Sequence, residues 1–194
     1  MDNLQRAFQL FDDYNRQDIN VLTFEGQEYP EEYFYALNVN SWVVKLEPHA
    51  SEALLLASRC QHIGRWEVPR TLYPEGKAGY LRWRSDLAKY HAEKATELLF
   101  EAGYNDLQLI ERVQQIILKK QIKTDHEVQV MEDALCLVFL QYEFEDFIKK
   151  HDDVKLIRIL QKTWNKMSQQ GRDAALSLTY NEKGKDLLER ALNS

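Results

Sequence analysis

The sequence predicts an all-α protein whose single domain is arranged around a central buried helix. Apolar residues recur every three or four positions through most of the chain, which is the spacing of helices that bury one face. Capping residues precede several of these stretches. Residues 134–140, ALCLVFL, are apolar on every side, which is typical of a helix at the centre of a domain.

Length, charge and cysteine content narrow the class of protein. With 194 residues the chain is long enough for one sizeable core, so a single domain is expected. The net charge of −6 argues against nucleic-acid binding, which ordinarily shows a basic domain. No apolar stretch approaches the length of a membrane span, so no membrane partner is expected. The first residues lack a signal-peptide pattern, and Cys60 and Cys136 lie in apolar helical stretches, so we expect a cytoplasmic protein with reduced thiols. The oligomeric state is left open.

The N-terminal part is predicted as one helix followed by a loop. Asp2 and Gln5 have the spacing of a capping box, and the helix that they begin ends by about residue 11. Residues 12–29 have loop composition, with a short extended piece at residues 19–24.

Prolines and capping residues delimit the later helices. Pro30 is tolerated at a first helical position, and Pro48 separates the helix that it begins from the next one. Gly103 ends a long helix, and Thr124 with Glu127 forms a capping box at the start of the longest one. These helices are predicted at about residues 30–46, 50–64, 80–102, 105–120, 124–151 and 154–168, with one or two short ones after them. The domain then divides into an N-terminal helix and loop (1–29), a core (30–168) and C-terminal helices (169–194).

Residues 54–84 combine an apolar helix with a polar, aromatic segment that glycines and prolines break. Between Arg59 and Arg84 there are six Lys and Arg residues and only two Glu residues, although the whole chain is acidic. Because clustered cations repel, we expect either a bound anion or a structural ion-pair network with carboxylates elsewhere in the fold. The side chains predicted to bind a ligand here are Arg65, Arg70, Arg82, Arg84, Tyr80 and Trp83.

A second group of cations lies near the C-terminus. Lys162 and Lys166 are one helical turn apart and share a helix face. They are expected either to form a second cationic wall of the same pocket or to be solvated at a helix end.

Three titratable side chains on separate helices are predicted to meet in one cavity. His91 lies on an apolar helix face, His62 ends a helix, and Asp133 opens the central apolar run. Buried polar groups need partners, so we expect these groups to contact each other or a shared ion. The alternatives are satisfied core histidines and an ion pair between Asp133 and a basic residue of a neighbouring helix. Glu67 is a further site candidate, unless a neighbouring arginine pairs with it.

Five segments resemble an uncharacterised family, domain of unknown function 4202. They are RCQHIGRWEVPR, YPEGKAGYLRWR, YHAEKA, VQVMEDALCLVFL and KTWNKMSQQGRDAAL. The resemblance covers nearly the whole chain. The resemblance implies no established activity.

Residues 60–65, CQHIGR, also resemble the LLHDIGK signature of the HD-domain phosphohydrolases. That all-α superfamily binds a divalent metal through histidine and aspartate side chains, and the metal activates water and holds a phosphate. The resemblance implies an HD-like arrangement of helices. It also implies His62, His91 and Asp133 as ligands of Zn, Mn, Fe or Mg, with catalytic roles for His62, Asp133 and Glu67.

The chain departs from that signature at two positions. Gln61 stands where the motif has a histidine, and an amide binds first-row metals less well than imidazole does. The first histidine of the motif would fall near residues 33–35, which contain none. A degenerate site that binds an anion without a metal therefore remains open.

Three functions follow from these residues. The first is a metal-dependent phosphohydrolase-like protein that acts on a small phosphorylated or nucleotide-like anion, with arginines on the phosphates and aromatic rings at the mouth. The second keeps the same pocket as a non-catalytic binding or regulatory module. The third is RNA binding through the arginines and tryptophans, which the acidic total charge disfavours. The sequence contains no GxGxxG, P-loop, HExxH, CxxC or GxSxG motif.

Overall fold

Side-chain caps begin most of the helices in the computed structural model, which describes residues 2–193. In seven helices of that range the N-cap Asp, Ser or Asn accepts a hydrogen bond from a backbone N–H in the first turn. The elements are α1 (Asn3–Asn15), β1 (Val21–Phe24), β2 (Gln27–Pro30), α2 (Glu31–Leu46), α3 (Glu52–Cys60), α4 (Gly76–Ala102), α5 (Leu107–Ile117), α6 (His126–Val138), α7 (Phe144–Lys150), α8 (Asp153–Lys166), α9 (Gln169–Leu176) and α10 (Glu182–Leu192). The all-α prediction is confirmed, with one small hairpin as the only sheet within these residues.

The hairpin occupies part of the predicted N-terminal loop. The extended piece predicted at residues 19–24 contains β1, which pairs antiparallel with β2, a strand in the stretch predicted as loop. Glu25 and Gly26 both have positive φ, 51° and 79°, as a two-residue hairpin turn with the twist of the strands requires. Each strand has only four residues, too few for a period-of-two pattern to be recognised reliably.

The longest predicted helix is interrupted. The sequence predicts one helix over residues 124–151, whereas α6 ends at Val138 and a π-helical segment, Phe139–Glu143, joins it to α7. Its cap is Asp125 rather than Thr124, since the Asp125 carboxylate accepts from the N–H groups of Glu127 and Val128. A π segment inserts wider turns that no pattern of apolar spacing predicts.

The core is built around α6, which packs on α2 and α9 and also touches α3, α5 and α8. Met131, Ala134 and Leu137 are completely buried, as predicted for the central helix. Leu135 and Phe139 are only half-buried and lie on one side of the helix. That side borders the cavity described below, so the apolar run is not enclosed on every face.

Two short 3₁₀ helices, Arg65–Glu67 and Arg70–Leu72, cross the irregular segment between α3 and α4. Gly64 precedes the first of them in the left-handed conformation, with φ at 67°. A Cβ there would lie 2.9 Å from the Tyr90 ring, so glycine is required both by the backbone and by the space. None of the helices in residues 2–193 is long and apolar enough to span a bilayer.

Candidate functional site

A cavity of about 540 Å³ lies between α2, α4 and α6, with the ends of α3, α5 and α8 at its edges. Its lining combines charged and polar groups with apolar side chains. The cations are Arg65, Arg84, Lys119 and Lys166; the carboxylates are Glu31, Glu32, Glu132 and Glu143; and the remaining polar groups include Gln61, His62, His91, Tyr35 and Thr163. Such a mixture of apolar surface and convergent polar groups is typical of small-molecule sites.

His62 and His91 form the polar floor of this cavity. Their ring centroids are 5.6 Å apart, because the turn that ends α3 carries His62 against the middle of α4. The Nδ1 of His91 lies 2.7 Å from the carbonyl oxygen of Ile63. Nδ1 must carry the proton to make this bond, so Nε2 is an acceptor, and no partner for it exists among residues 2–193.

Both histidines are held in the neutral state. Burial lowers the pKa of His91 to about 4, and Arg65 adds to the effect. Burial also holds the pKa of His62 well below its ordinary value, and the charges of Arg65, Lys119 and Arg84 act in the same direction. The same three cations therefore lie close enough to His62 for their fields to act on it.

Gln61 completes the floor beside the histidines. Its Nε2 donates to the carbonyl oxygen of Ile117 at the end of α5, at 3.0 Å. Its Oε1 is buried and has no partner within the described residues. Sequence reasoning treated Gln61 only as a defective metal ligand and missed that it is buried with an unused acceptor.

Lys119 and Lys166 share one carboxylate in the cavity wall. Glu132 is 3 % exposed, and each of its oxygens faces one lysine; Lys166 Nζ lies 3.3 Å from Oε1. Burial alone would raise the pKa of Glu132, but the two lysines outweigh it and hold that pKa below its ordinary value. Lys119 was not among the predicted site residues, because it follows a helix end in an unremarkable basic stretch.

Two of the four predicted arginines reach the cavity. Arg65 Nε lies 3.5 Å from Glu32, and its guanidinium stands 5.6 Å from the centre of the Trp83 ring. Arg84 lies over Tyr80, with 5.9 Å between the guanidinium and the ring centre. Tyr80 and Trp83 also line the cavity, so this corner combines cations with aromatic faces.

Three other predicted cations lie elsewhere. Arg70 donates to the carbonyl oxygens of Tyr73 and Pro74, both at 2.8 Å, and so closes its own loop. Arg82 is exposed on α4 beside Asp86. Lys162 is exposed on α8 and does not line the cavity, although Lys166 one turn later does.

Asp133 does not join the histidines, which corrects the predicted convergence. It accepts hydrogen bonds from Ser168 N at 2.8 Å, from the Ser168 hydroxyl, and from Gln129 Nε2 at 3.0 Å. These bonds anchor the start of α9, where Gly171 packs so closely that a Cβ would lie 2.6 Å from the Asp133 carboxyl carbon. The preceding residue, Glu132, is the carboxylate that α6 presents to the cavity.

Glu67 also lies outside the cavity, so its predicted catalytic position is corrected. Its carboxylate accepts from the hydroxyls of Tyr14, at 2.5 Å, and Tyr90, at 2.6 Å. These bonds tie the irregular segment to α1 and α4. The short 3₁₀ turn directs Glu67 away from the side on which Arg65 meets the cavity.

The residues predicted to ligate a metal do not assemble into a metal centre. With Asp133 engaged at α9, the floor offers two imidazoles and no third ligand of that set. Across residues 2–193 no group of three or more His, Cys, Asp or Glu side chains is arranged to hold a metal ion. The predicted set of His62, His91 and Asp133 therefore does not fit a divalent metal ion.

The other three carboxylates of the lining, Glu31, Glu32 and Glu143, form an acidic wall around Arg65. Glu32 is buried, and desolvation raises its pKa to about 8 even though Arg65 opposes the shift. Burial also raises the pKa of Glu31 and of Glu143, which the π-helical segment brings to the same wall. In the sequence, Glu31 and Glu32 are indistinguishable from the acidic first turn of any helix, so this wall was not predicted.

The fold and the cavity define an all-α, single-domain protein with a central pocket of mixed charge. The sequence model of the family described as Domain of unknown function (DUF4202) matches residues 5–188, and the chain belongs to this family. The resemblance stated from the five segments is thereby confirmed. No curated protein and no solved structure matches the chain.

Proposed function

We propose that this protein binds a small phosphorylated anion in the cavity between α2, α4 and α6. The observation that carries the proposal is the pair of lysines, Lys119 and Lys166, that share the single carboxylate of Glu132. One negative charge cannot neutralise two ammonium groups, and Arg84 adds a third cation on the same cavity. The other carboxylates of the lining lie in the field of Arg65. A phosphate would add the second negative charge for the two lysines and several acceptor oxygens at once.

The backbone of Lys119 supports a role for its side chain beyond helix termination. Lys119 has φ at 53°, in the left-handed region, directly after the last residues of α5. Glycine is the usual residue at such a position, and a side chain there costs on the order of 1 kcal/mol. A cation near a helix C-terminus recovers part of that cost. Strain of this kind tends to persist at functional sites.

The histidines favour binding over turnover. A general base works best when its pKa lies near the operating pH. With a pKa of about 4, His91 is a weak base at neutral pH, and the pKa of His62 is also well below 6.5. They are better suited to accepting or donating hydrogen bonds as neutral imidazoles than to activating water.

Hydrolysis of the bound phosphate is a second candidate, and the position of His62 favours it. Arg65, Lys119 and Arg84 help to depress the His62 pKa, and a bound anion would screen these cations and raise that pKa towards neutrality. A panel of phosphate esters, assayed with Mn, Mg and Zn and without metal, tests this candidate. Turnover that requires His62 would establish it; binding without turnover under every condition would eliminate it.

Removing the charge of either member of the Lys119–Glu132 ion pair tests the binding proposal. Lys119→Met keeps the aliphatic stem and removes the charge, and we expect it to weaken the binding of ribose 5-phosphate and AMP by about tenfold or more. Glu132→Gln frees both lysines from their counter-ion, so it should tighten binding of the same ligands by about threefold or more. Titration calorimetry at low ionic strength measures both effects.

Lys120→Met is the matched control, because Lys120 is the adjacent residue, is exposed and does not line the cavity. It should leave both affinities unchanged. If neither ligand, nor inorganic phosphate, binds the parent protein or raises its melting temperature, the lysines and Glu132 form a structural ion-pair network instead. Equal loss of affinity in all three variants would also contradict the proposal.

A further inference from the structure

The floor of the cavity contains two buried hydrogen-bond acceptors to which no donor is bonded. They are Nε2 of His91 and Oε1 of Gln61, and neither has a hydrogen-bond partner among residues 2–193. His91 is 3 % exposed and Gln61 is 5 % exposed, so bulk water does not compensate for the missing bonds. Few buried polar atoms in native folds lack a partner, so two of them in the lining of one cavity are unusual.

The roles of both atoms are fixed by the bonds on their other sides. The Nδ1–H of His91 donates to Ile63 O, and the Nε2–H₂ of Gln61 donates to Ile117 O. Reversing either assignment would set an acceptor against a carbonyl oxygen. His91 cannot become a donor at Nε2 by gaining a proton either, since burial keeps its pKa near 4. Both groups are therefore acceptors at neutral pH.

The two acceptors lie close to the cationic part of the cavity. Ile117, which Gln61 contacts, is two residues before Lys119, and His91 is in ring contact with His62, on which the field of Lys119 acts. The cavity, at about 540 Å³, has room for more than a phosphate group. A ligand held by its phosphate at Lys119 and Lys166 would therefore place the rest of the molecule along the floor.

We propose that the floor formed by Gln61 and His91 selects phosphorylated ligands that carry hydroxyl or amino donors, such as sugar phosphates and nucleotides. This inference rests on the proposed function and names the class of ligand within it. The hydroxyl or amino groups of a bound ligand donate hydrogen bonds to Nε2 of His91 and Oε1 of Gln61. These bonds form only with ligands that carry such groups, so they contribute to specificity. A phosphate ester without such donors leaves both acceptors unpaired and is rejected on that account.

A matched pair of probes tests the inference. Ribose 5-phosphate and cyclopentylmethyl phosphate have the same five-membered ring size and the same phosphate, but the second lacks every hydroxyl. We expect calorimetry to show ribose 5-phosphate binding about tenfold or more tightly to the parent protein. His91→Asn keeps a donor for Ile63 O and removes the acceptor at the Nε2 position, so this variant should bind the two probes within about twofold of each other.

Gln61→Met provides the second variant, because it preserves side-chain length and removes the other acceptor. It should reduce the preference for ribose 5-phosphate while leaving the affinity for cyclopentylmethyl phosphate nearly unchanged. If the parent binds both probes equally, or if the preference survives in both variants, the inference is wrong and the phosphate site stands. If neither probe, AMP nor inorganic phosphate binds the parent, the proposed function fails as well.

Discussion

Two buried polar clusters on different faces of α6 differ in how completely their hydrogen bonds are satisfied. On one side, Asp133 accepts from Ser168 through both the backbone and the hydroxyl, and from Gln129. On the other, the floor of the cavity leaves Gln61 and His91 with unused acceptors, and two lysines share one carboxylate. Each cluster contains a residue that the sequence analysis names as a site candidate, Asp133 in the first and His91 in the second.

The comparison shows that burial of a polar group does not by itself indicate a ligand. Asp133 has three donors, so its charge is compensated within the fold and it has little capacity left for a ligand. The cavity, by contrast, combines open volume, two hydrogen-bond acceptors without donors, and two lysines that share a single carboxylate. The completeness of the hydrogen bonding therefore distinguishes the structural junction around Asp133 from the proposed binding site. Mutations at the junction should change stability, and mutations at the cavity should change ligand affinity.

The largest expected effect is on stability, at the structural junction formed by Asp133, Ser168 and Gln129. Asp133→Ala leaves Ser168 and Gln129 without their acceptor and loosens the start of α9, so we expect a loss of about 3 kcal/mol in the free energy of unfolding. Urea denaturation with circular dichroism detection measures it. Ser168→Ala removes one of the donors and the N-cap together and should cost about 1–2 kcal/mol. The affinity of the remaining folded protein for ribose 5-phosphate should stay unchanged in both variants. A loss of affinity without a loss of stability in Asp133→Ala would reverse the roles assigned to the two sides.

An intermediate effect is expected at the acidic wall, where it depends on pH. The pKa of Glu32 is about 8 in the folded protein, against an ordinary value of 4.5. Between these values the folded state keeps a proton that the unfolded chain releases, so stability falls as pH rises through this range. Glu32→Gln removes this dependence and should raise the free energy of unfolding by about 1 kcal/mol or more at pH 8, with little change at pH 4.5.

The histidines act in the opposite direction and must be separated from Glu32. A folded-state pKa of about 4 for His91 means that the unfolded chain takes up a proton first as pH falls below 6.5, so stability decreases on acidification through that window. The histidine contribution is the same in the parent and in Glu32→Gln, so it cancels when their free energies of unfolding are subtracted at each pH. A difference between parent and Glu32→Gln that is the same at pH 4.5 and pH 8 would show that folding does not raise the pKa of Glu32.

The smallest expected effect is a change in ligand affinity on substitution of Arg84, with Arg82 on the same helix as its control. Arg84 lines the cavity, whereas Arg82 is exposed beside Asp86. Arg84→Gln should weaken ribose 5-phosphate binding by about threefold at low salt, and Arg82→Gln should not change it, since screening leaves an exposed distant charge little influence. Both variants should keep their stability within about 0.5 kcal/mol of the parent. Equal effects of the two substitutions would show that the anion is attracted by the general charge of α4 rather than held at the cavity.

The helical architecture was predictable because its signals are local. Asp2, for example, caps a backbone N–H three residues away, and the apolar spacing of residues 134–140 follows from one helix repeat. The family resemblance was also recognisable from short segments. The site was predicted only in part. The sequence pointed to His62, His91, Arg65, Arg84, Tyr80, Trp83 and Lys166, which the structure places at the cavity, and it missed Gln61, Lys119, Glu32, Glu132 and Glu143.

The neighbours Glu132 and Asp133 show what the sequence by itself determined and what only the tertiary structure decided. The sequence determined that two carboxylates open the buried stretch of α6 and that both need partners. Successive residues on a helix point about 100° apart, so only one of the two can face a given neighbour. Which one faces the cavity depends on where α9 begins and where the turn after α5 places Lys119. Those positions are set by packing between segments far apart in the chain, and no local pattern contains them.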